Sequence, residues 1–198
     1  MKSIYIFDPT LKDTLSKVRG VGRYVQLLKD HIGDESEFIG NLDKTPYNVT
    51  LFNPFLDIIK RPATLKRVAR KQVSVIHDLI RLKYPEHFPI GVKAKLFFIV
   101  NNMLLNQQDI IITDSEHCKK DIVDILHVPE EKVKVVYPIL PHIFLSNTTP
   151  SKPQLEIPNK YCIYVGDVTW NKNIVNLAKA IKIANIPCIF VGKHLEIE

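Results

Sequence analysis

Between Ile4 and Tyr137, short apolar runs alternate with longer amphipathic ones. Ile4-Tyr5-Ile6-Phe7 is stopped by Asp8-Pro9, which predicts a short buried strand. After Gly20-Val21-Gly22, apolar residues recur at helical spacing (Tyr24, Leu27, Leu28, Ile32) and predict a helix over 23–32. Further strands are predicted over 48–52, 73–76, 110–112 and 133–137, and helices over 92–107 and 115–126. The 92–107 stretch is so dense in Leu, Phe, Ile and Met that burial of most of its surface is expected. Strands alternating with helices predict an α/β fold: a Rossmann-like parallel sheet covered by helices on both faces.

The texture changes after Tyr137. Pro138, Pro141, Pro150, Pro153 and Pro158 are interleaved with Ser146, Asn147, Thr148, Thr149 and Ser151. Proline supports neither ladder nor helix hydrogen bonds, so this is linker chemistry. Beyond it a strand (161–165), a loop (166–172), a helix (174–184) and a strand (188–191) make one βαβ unit. A lone unit of this kind leaves sheet edges and a helix face uncovered. The expected organisation is a Rossmann-like N-terminal domain over 1–140, a Pro-rich linker over 141–158, and an incomplete second α/β domain over 159–198.

Composition narrows the class. The chain has 198 residues, 45% hydrophobic and 24% charged, which fits a globular protein and not a disordered one. Lys and Arg total 27 against 21 acids, and the net charge of +6 favours anionic partners. No apolar run approaches the roughly 18 residues of a spanning helix. Met1 leads directly into the first strand, so no signal segment is expected. Cys118, Cys162 and Cys188 are widely spaced and odd in number, so neither a disulfide framework nor a zinc site is expected. A reducing cytoplasm fits that pattern. The histidines show no metal-ligand spacing, and no metal is expected.

Four features could carry chemistry. Gly20 and Gly22 open the first helix, where bare backbone N–H groups favour phosphate; a loop needing positive φ is the competing explanation. His77-Asp78 ends a predicted central strand, where ligands collect in open α/β sheets; alternatively, Asp78 caps the next turn and His77 is structural. Lys172 precedes a helix N-terminus, an unfavourable place for a cation unless an anion binds there, although a solvated lysine also fits. Lys60, Arg61, Lys66, Arg67, Arg70 and Lys71 form a basic run without acids. It lacks aromatic interleaving, so nucleic acid is not expected; a solvated loop and helix face is the leading reading, and peripheral contact with anionic lipid the other. Lys93 and Lys95, ahead of Leu96-Phe97-Phe98, fit either a membrane tether or a core helix.

A series of segments resembles glycosyltransferase family 4, the retaining nucleotide-sugar transferases of the GT-B fold. They are Gly20-Val21-Gly22-Arg23-Tyr24, then Val75-Ile76-His77-Asp78-Leu79-Ile80 with Tyr84-Pro85-Glu86-His87-Phe88-Pro89, and Ile112-Thr113-Asp114-Ser115-Glu116. The series continues with 128–138 and with Tyr164-Val165-Gly166 through Lys172-Asn173. The resemblance implies two Rossmann-like domains, the first receiving the acceptor and the second holding most of the nucleotide sugar. It implies that Gly20, Gly22, Gly166 and Lys172 lie at the donor diphosphate, and that His77 sits at the donor sugar and reacting centre. Asp78, Arg23 and Ser115 fall on the acceptor or sugar side. The implied activity is transfer of a hexose such as mannose, glucose or galactose to a glycan or lipid-linked acceptor in cell-surface polysaccharide synthesis. The implied setting is cytoplasmic, with peripheral membrane contact and no cofactor beyond the donor.

Two departures stand against the resemblance. Asp167 and Asn171 occupy places where many members carry arginine. The family's paired glutamates, spaced E-x7-E in the second domain, have no counterpart here, which predicts that these 198 residues alone are inactive. The competing expectation is a non-catalytic protein that binds glycan or a partner subunit.

Overall fold

A computed structural model describes residues 2–11, 20–141, 144 and 158–192. The chain divides into two compact units, Met1–Leu145 and Ser146–Glu198. Most of the expected linker over 141–158 lies outside the described residues, as does the 12–19 part of the segment before the glycines.

In the first unit the strands are β1 (Ile4–Phe7), β2 (Ser36–Ile39), β3 (Thr50–Asn53), β4 (Lys71–Val75), β5 (Ile110–Thr113) and β6 (Val133–Val135). The helices are α1 (Gly20–Ile32), α2 (Ile80–Lys83), α3 (Val92–Leu104) and α4 (Glu116–Leu126). All six strands form one parallel sheet in the order β2-β1-β3-β4-β5-β6. This is an α/β architecture compatible with a Rossmann-like fold. Because β1 pairs with β2 on one side and β3 on the other, the order of the sheet reverses at β1. A crevice at the carboxyl ends of β1 and β3 follows from that reversal.

Burial explains why these short runs form strands. Gln72, Val73, Ser74 and Val75 of β4 are all buried, as a central strand covered on both faces requires. Ile111 and Val133 lie in one core with Ile76, Leu79, Leu105 and Ile122, while Tyr5, Leu51, Ile39 and Val49 form a second cluster. Arg67 fastens the lower ends: its guanidinium donates to the Gln107 carbonyl at 2.9 Å and pairs with Asp109 at 2.6 Å. The basic run over 60–71 is thus a loop leading into β4 with no helix in it, and one member is a structural clamp.

Three expectations need correction. The first helix starts at Gly20 and not at residue 23, so both glycines belong to its first turn. Neither has positive φ; among the described glycines only Gly166 does. Strand β2 was not foreseen, because a four-residue edge strand of sequence Ser-Glu-Phe-Ile carries too little periodicity. The helix over 92–107 runs as α3 to Leu104 and closes in a 3-10 turn, and Asn101 is the buried residue of α3. Its apolar residues do not bury most of its surface: Val92, Leu96, Ile99 and Met103 are exposed. The helix lies over one sheet face, and nothing described covers its other side.

The second unit has β7 (Cys162–Val165), a 3-10 turn (Trp170–Lys172), α5 (Ile174–Ala184) and β8 (Cys188–Val191). β7 and β8 pair in parallel from Cys162↔Cys188 to Val165↔Val191. None of the unit's described residues is buried. No helix among the described residues is long and apolar enough to cross a membrane.

Candidate functional site

The carboxyl ends of β3, β4 and β5 bring three segments together around His77. Just beyond β4, its ring Nε2 lies 3.0 Å from the Pro54 carbonyl oxygen, directly after β3. Its Nδ1 lies 3.4 Å from Asp114 Oδ2, directly after β5. A neutral imidazole has one N–H, so donation to Pro54 leaves Nδ1 without a proton for Asp114. Both contacts are hydrogen bonds together only when the ring carries two protons.

Aromatic rings hold the imidazole on two sides. Phe55 stacks with it at 5.9 Å between centroids and Tyr24 of α1 meets it edge-on at 5.1 Å. Burial, together with the Asp114 carboxylate, pushes the Tyr24 hydroxyl pKa above its ordinary value. Beside the imidazole is an open cavity of about 210 Å³, whose lining includes Phe55, Leu56, Asp78 and Arg81. It joins an apolar wall to a histidine and a cation, a mixture that can hold a ring-shaped polar molecule by stacking and hydrogen bonds.

A second recess of about 300 Å³ borders the first turn of α1 and is lined by Thr10, Gly22, Arg23, Gln26 and Lys29. Gly22 is buried, whereas a Cβ built on Gly20 would meet no heavy atom within 4 Å. Asp8, at the end of β1, anchors this corner: it is buried, pairs with Lys29 at 2.8 Å, and accepts from Thr10 Oγ1 at 2.6 Å. Burial raises the Asp8 carboxyl, but the hydrogen bonds from Lys29 and Thr10 outweigh it and hold the group below its ordinary value.

The remaining candidates are arranged locally. Asp78 Oδ1 accepts the Ile80 N–H at 3.1 Å, an Asx turn leading into α2, whose N-cap is Leu79. Ser115 is the N-cap of α4 and accepts from Cys118 N–H at 3.2 Å. Arg23 is exposed at the rim of the second recess. In the second unit Gly166 has φ +150° and donates its N–H to Val191. The exposed Lys172 ends the 3-10 turn, and Asn173, the N-cap of α5, makes no side-chain bond to the helix. The first amides of α5 therefore lack that partner. Thr169 Oγ1 donates to Asn171 Oδ1 at 2.6 Å, and the Asp167 carbonyl accepts from the Tyr164 hydroxyl.

Roles for Tyr24, Phe55, Asp114 and the Asp8–Lys29 pair were not predicted. Asp114 could have been found by the reasoning that found His77, because Thr113-Asp114 also ends a parallel strand. Among the described residues no group of three or more His, Cys, Asp or Glu could hold a metal ion. Comparison with models of known protein families finds no match, and comparison with curated proteins finds none either.

Proposed function

We propose that this chain comprises the acceptor-side domain and the opening βαβ unit of the nucleotide domain of a retaining glycosyltransferase with GT-B architecture, similar to family 4. The observation that carries the reading is the position of His77. It stands at a strand end one strand from the reversal of the sheet, between Tyr24 and Phe55, facing an open cavity. The ordered series of family-like segments supports it.

In this reading a hexose passes from a nucleoside diphosphate to a hydroxyl of a glycan or lipid-linked acceptor. The bond from the anomeric carbon to the diphosphate oxygen breaks, and the acceptor oxygen bonds to the same face of that carbon. Because attack and departure share one face, configuration is retained, and the acceptor proton leaves on the diphosphate. Lys172 and the amides at the start of α5 stabilise the charge that collects on the departing diphosphate. His77 holds the donor sugar. Gly20, Gly22 and Gly166 allow close approach of backbone to phosphate. Arg23, Asp78 and Ser115 border the acceptor or sugar side, Asp78 through the Asx turn before α2 and Ser115 through its cap on α4. A cytoplasmic setting accompanies this reading, since three unpaired cysteines suit a reducing compartment.

A second reading, a glycan- or partner-binding protein without catalysis, is favoured by one observation: both His77 nitrogens already face protein acceptors. The two are separated on protein isolated from its native source. Its intact mass is recorded, and saturation-transfer NMR is run with UDP-glucose, UDP-galactose and GDP-mannose. Binding of one donor, weakened about tenfold by Lys172→Ala, with transfer to an added acceptor, supports the transferase. Glycan binding without any nucleotide-sugar binding or transfer overturns it.

A further inference from the structure

Cys162 and Cys188 are far apart in the sequence, yet the parallel β7–β8 ladder makes them register partners. Partners in register point to the same face of a sheet. Two residues further on, the next pair on that face, Tyr164 and Phe190, brings its ring centroids to 5.7 Å. Side chains of this face therefore meet across the ladder. Both thiols are free and half-buried. Burial, together with the neighbouring Cys162 thiol, pushes the Cys188 thiol above its ordinary value, so the two sulfurs sense each other. Adjacent strands run about 4.8 Å apart, inside the range of about 4.4–6.8 Å between the Cα atoms of a disulfide. Cys118 does not compete, because its Sγ faces the Ile76 carbonyl in the core of the first unit.

We propose that Cys162 and Cys188 form a redox site, a dithiol that a low-molecular-weight disulfide such as oxidised glutathione converts into a bond stapling β7 to β8. One thiol gives up its proton, and its thiolate attacks a sulfur of the oxidant, whose S–S bond breaks and releases a small thiolate. The second protein thiolate then attacks the protein sulfur of the mixed disulfide and displaces the other small thiolate. Both protons end on the small thiols, so the protein loses two electrons and the oxidant gains them. Excess small thiol runs the same steps backwards. The bond needs its Cβ atoms about 3.8 Å apart, which a short ladder without a buried residue reaches by a small added twist. What the bond adds is order: no described residue of these strands is buried, and a link at Cys162 limits how far they separate. The inference does not depend on sugar transfer.

The test incubates the full chain with glutathione at set ratios of oxidised to reduced form, blocks the remaining thiols, and maps the peptides by mass spectrometry. One link within the chain, Cys162 to Cys188, is expected in the oxidised buffer, with Cys118 left as a thiol and the link undone by excess reduced glutathione. Hydrogen exchange at the β7–β8 amides should slow about tenfold or more on oxidation, while exchange in the first unit stays unchanged. Cys162→Ser should abolish the link and leave the ladder exchanging at the same rate in both buffers. Three results would each overturn the inference: no link at any ratio, a link that joins two chains, or a link that leaves β7–β8 exchange as it was.

Discussion

The His77 Nε2 atom donates to the Pro54 carbonyl oxygen at 3.0 Å, tying the turn after β4 to the turn after β3. The ring therefore does structural work whatever it does to a ligand. Replacing it leaves the carbonyl of buried Pro54 without its donor and opens a gap between Tyr24 and Phe55. His77→Ala should cost about 1–2 kcal/mol of stability, read as a lowered Tm. If His77 holds a donor sugar, transfer should fall much further than that loss of fold explains, which activity measured well below Tm would reveal.

Asp8 and Lys29 make a pair with one fully buried partner. Lys29→Met strands the carboxylate and should destabilise the protein by about 2–3 kcal/mol, the lower part of the range for broken buried pairs because Lys29 is partly solvated. The same pair fixes a pH dependence. Since the folded pKa of Asp8 is depressed, its stabilising contribution is complete above the unfolded carboxylate range, about pH 4–5. It is lost as pH falls through the folded value. Urea titrations at neutral pH and at pH 3 should show an acid loss that shrinks in Asp8→Asn.

Burial pushes the Cys118 thiol up to about 11, and its Sγ faces the Ile76 carbonyl inside the core. At pH 8 the thiolate is scarce and enclosed, so a disulfide reagent should reach Cys118 only after denaturant is added. Cys162 and Cys188 are partly exposed and should react first. Prompt labelling of all three thiols in the native protein would contradict this placement.

The second unit depends on two glycines. A Cβ at Gly192 would stand 2.2 Å from the Gly166 carbonyl oxygen, and Gly166 itself has a φ that other residues rarely adopt. Gly192→Ala should disrupt the β7–β8 ladder while the first unit stays folded. Trp170, the sole tryptophan, lies in that unit, so its emission should change with little loss of helical circular dichroism.

Much of this fold was legible because short apolar runs and amphipathic stretches are set off by polar or turn-forming residues. Ile4–Phe7, Ile174–Ala184 and Cys188–Val191 have the predicted bounds. The failures have physical causes. β2 alternates Ser, Glu, Phe and Ile over only four residues, too few for a period to show. Helix α3 is apolar on both sides, so hydropathy predicted burial that tertiary packing supplies on one side only. In the site, position at strand ends singled out His77. Tyr24 and Phe55 could not be identified that way, because their contact with His77 comes from chain crossings and not from spacing.

No described residue of β7, α5 or β8 is buried, whereas the first unit is built around Ile6, Ile76, Ile111 and Val133. The two units should therefore open to solvent on different clocks: rarely and cooperatively for the strands of the first, locally and often for the β7–β8 ladder. During synthesis the strands of the larger unit leave the ribosome before Cys162 does, so its sheet can close while the second ladder is still unformed. Damage or proteolysis should follow the reverse course and take the later-made part first.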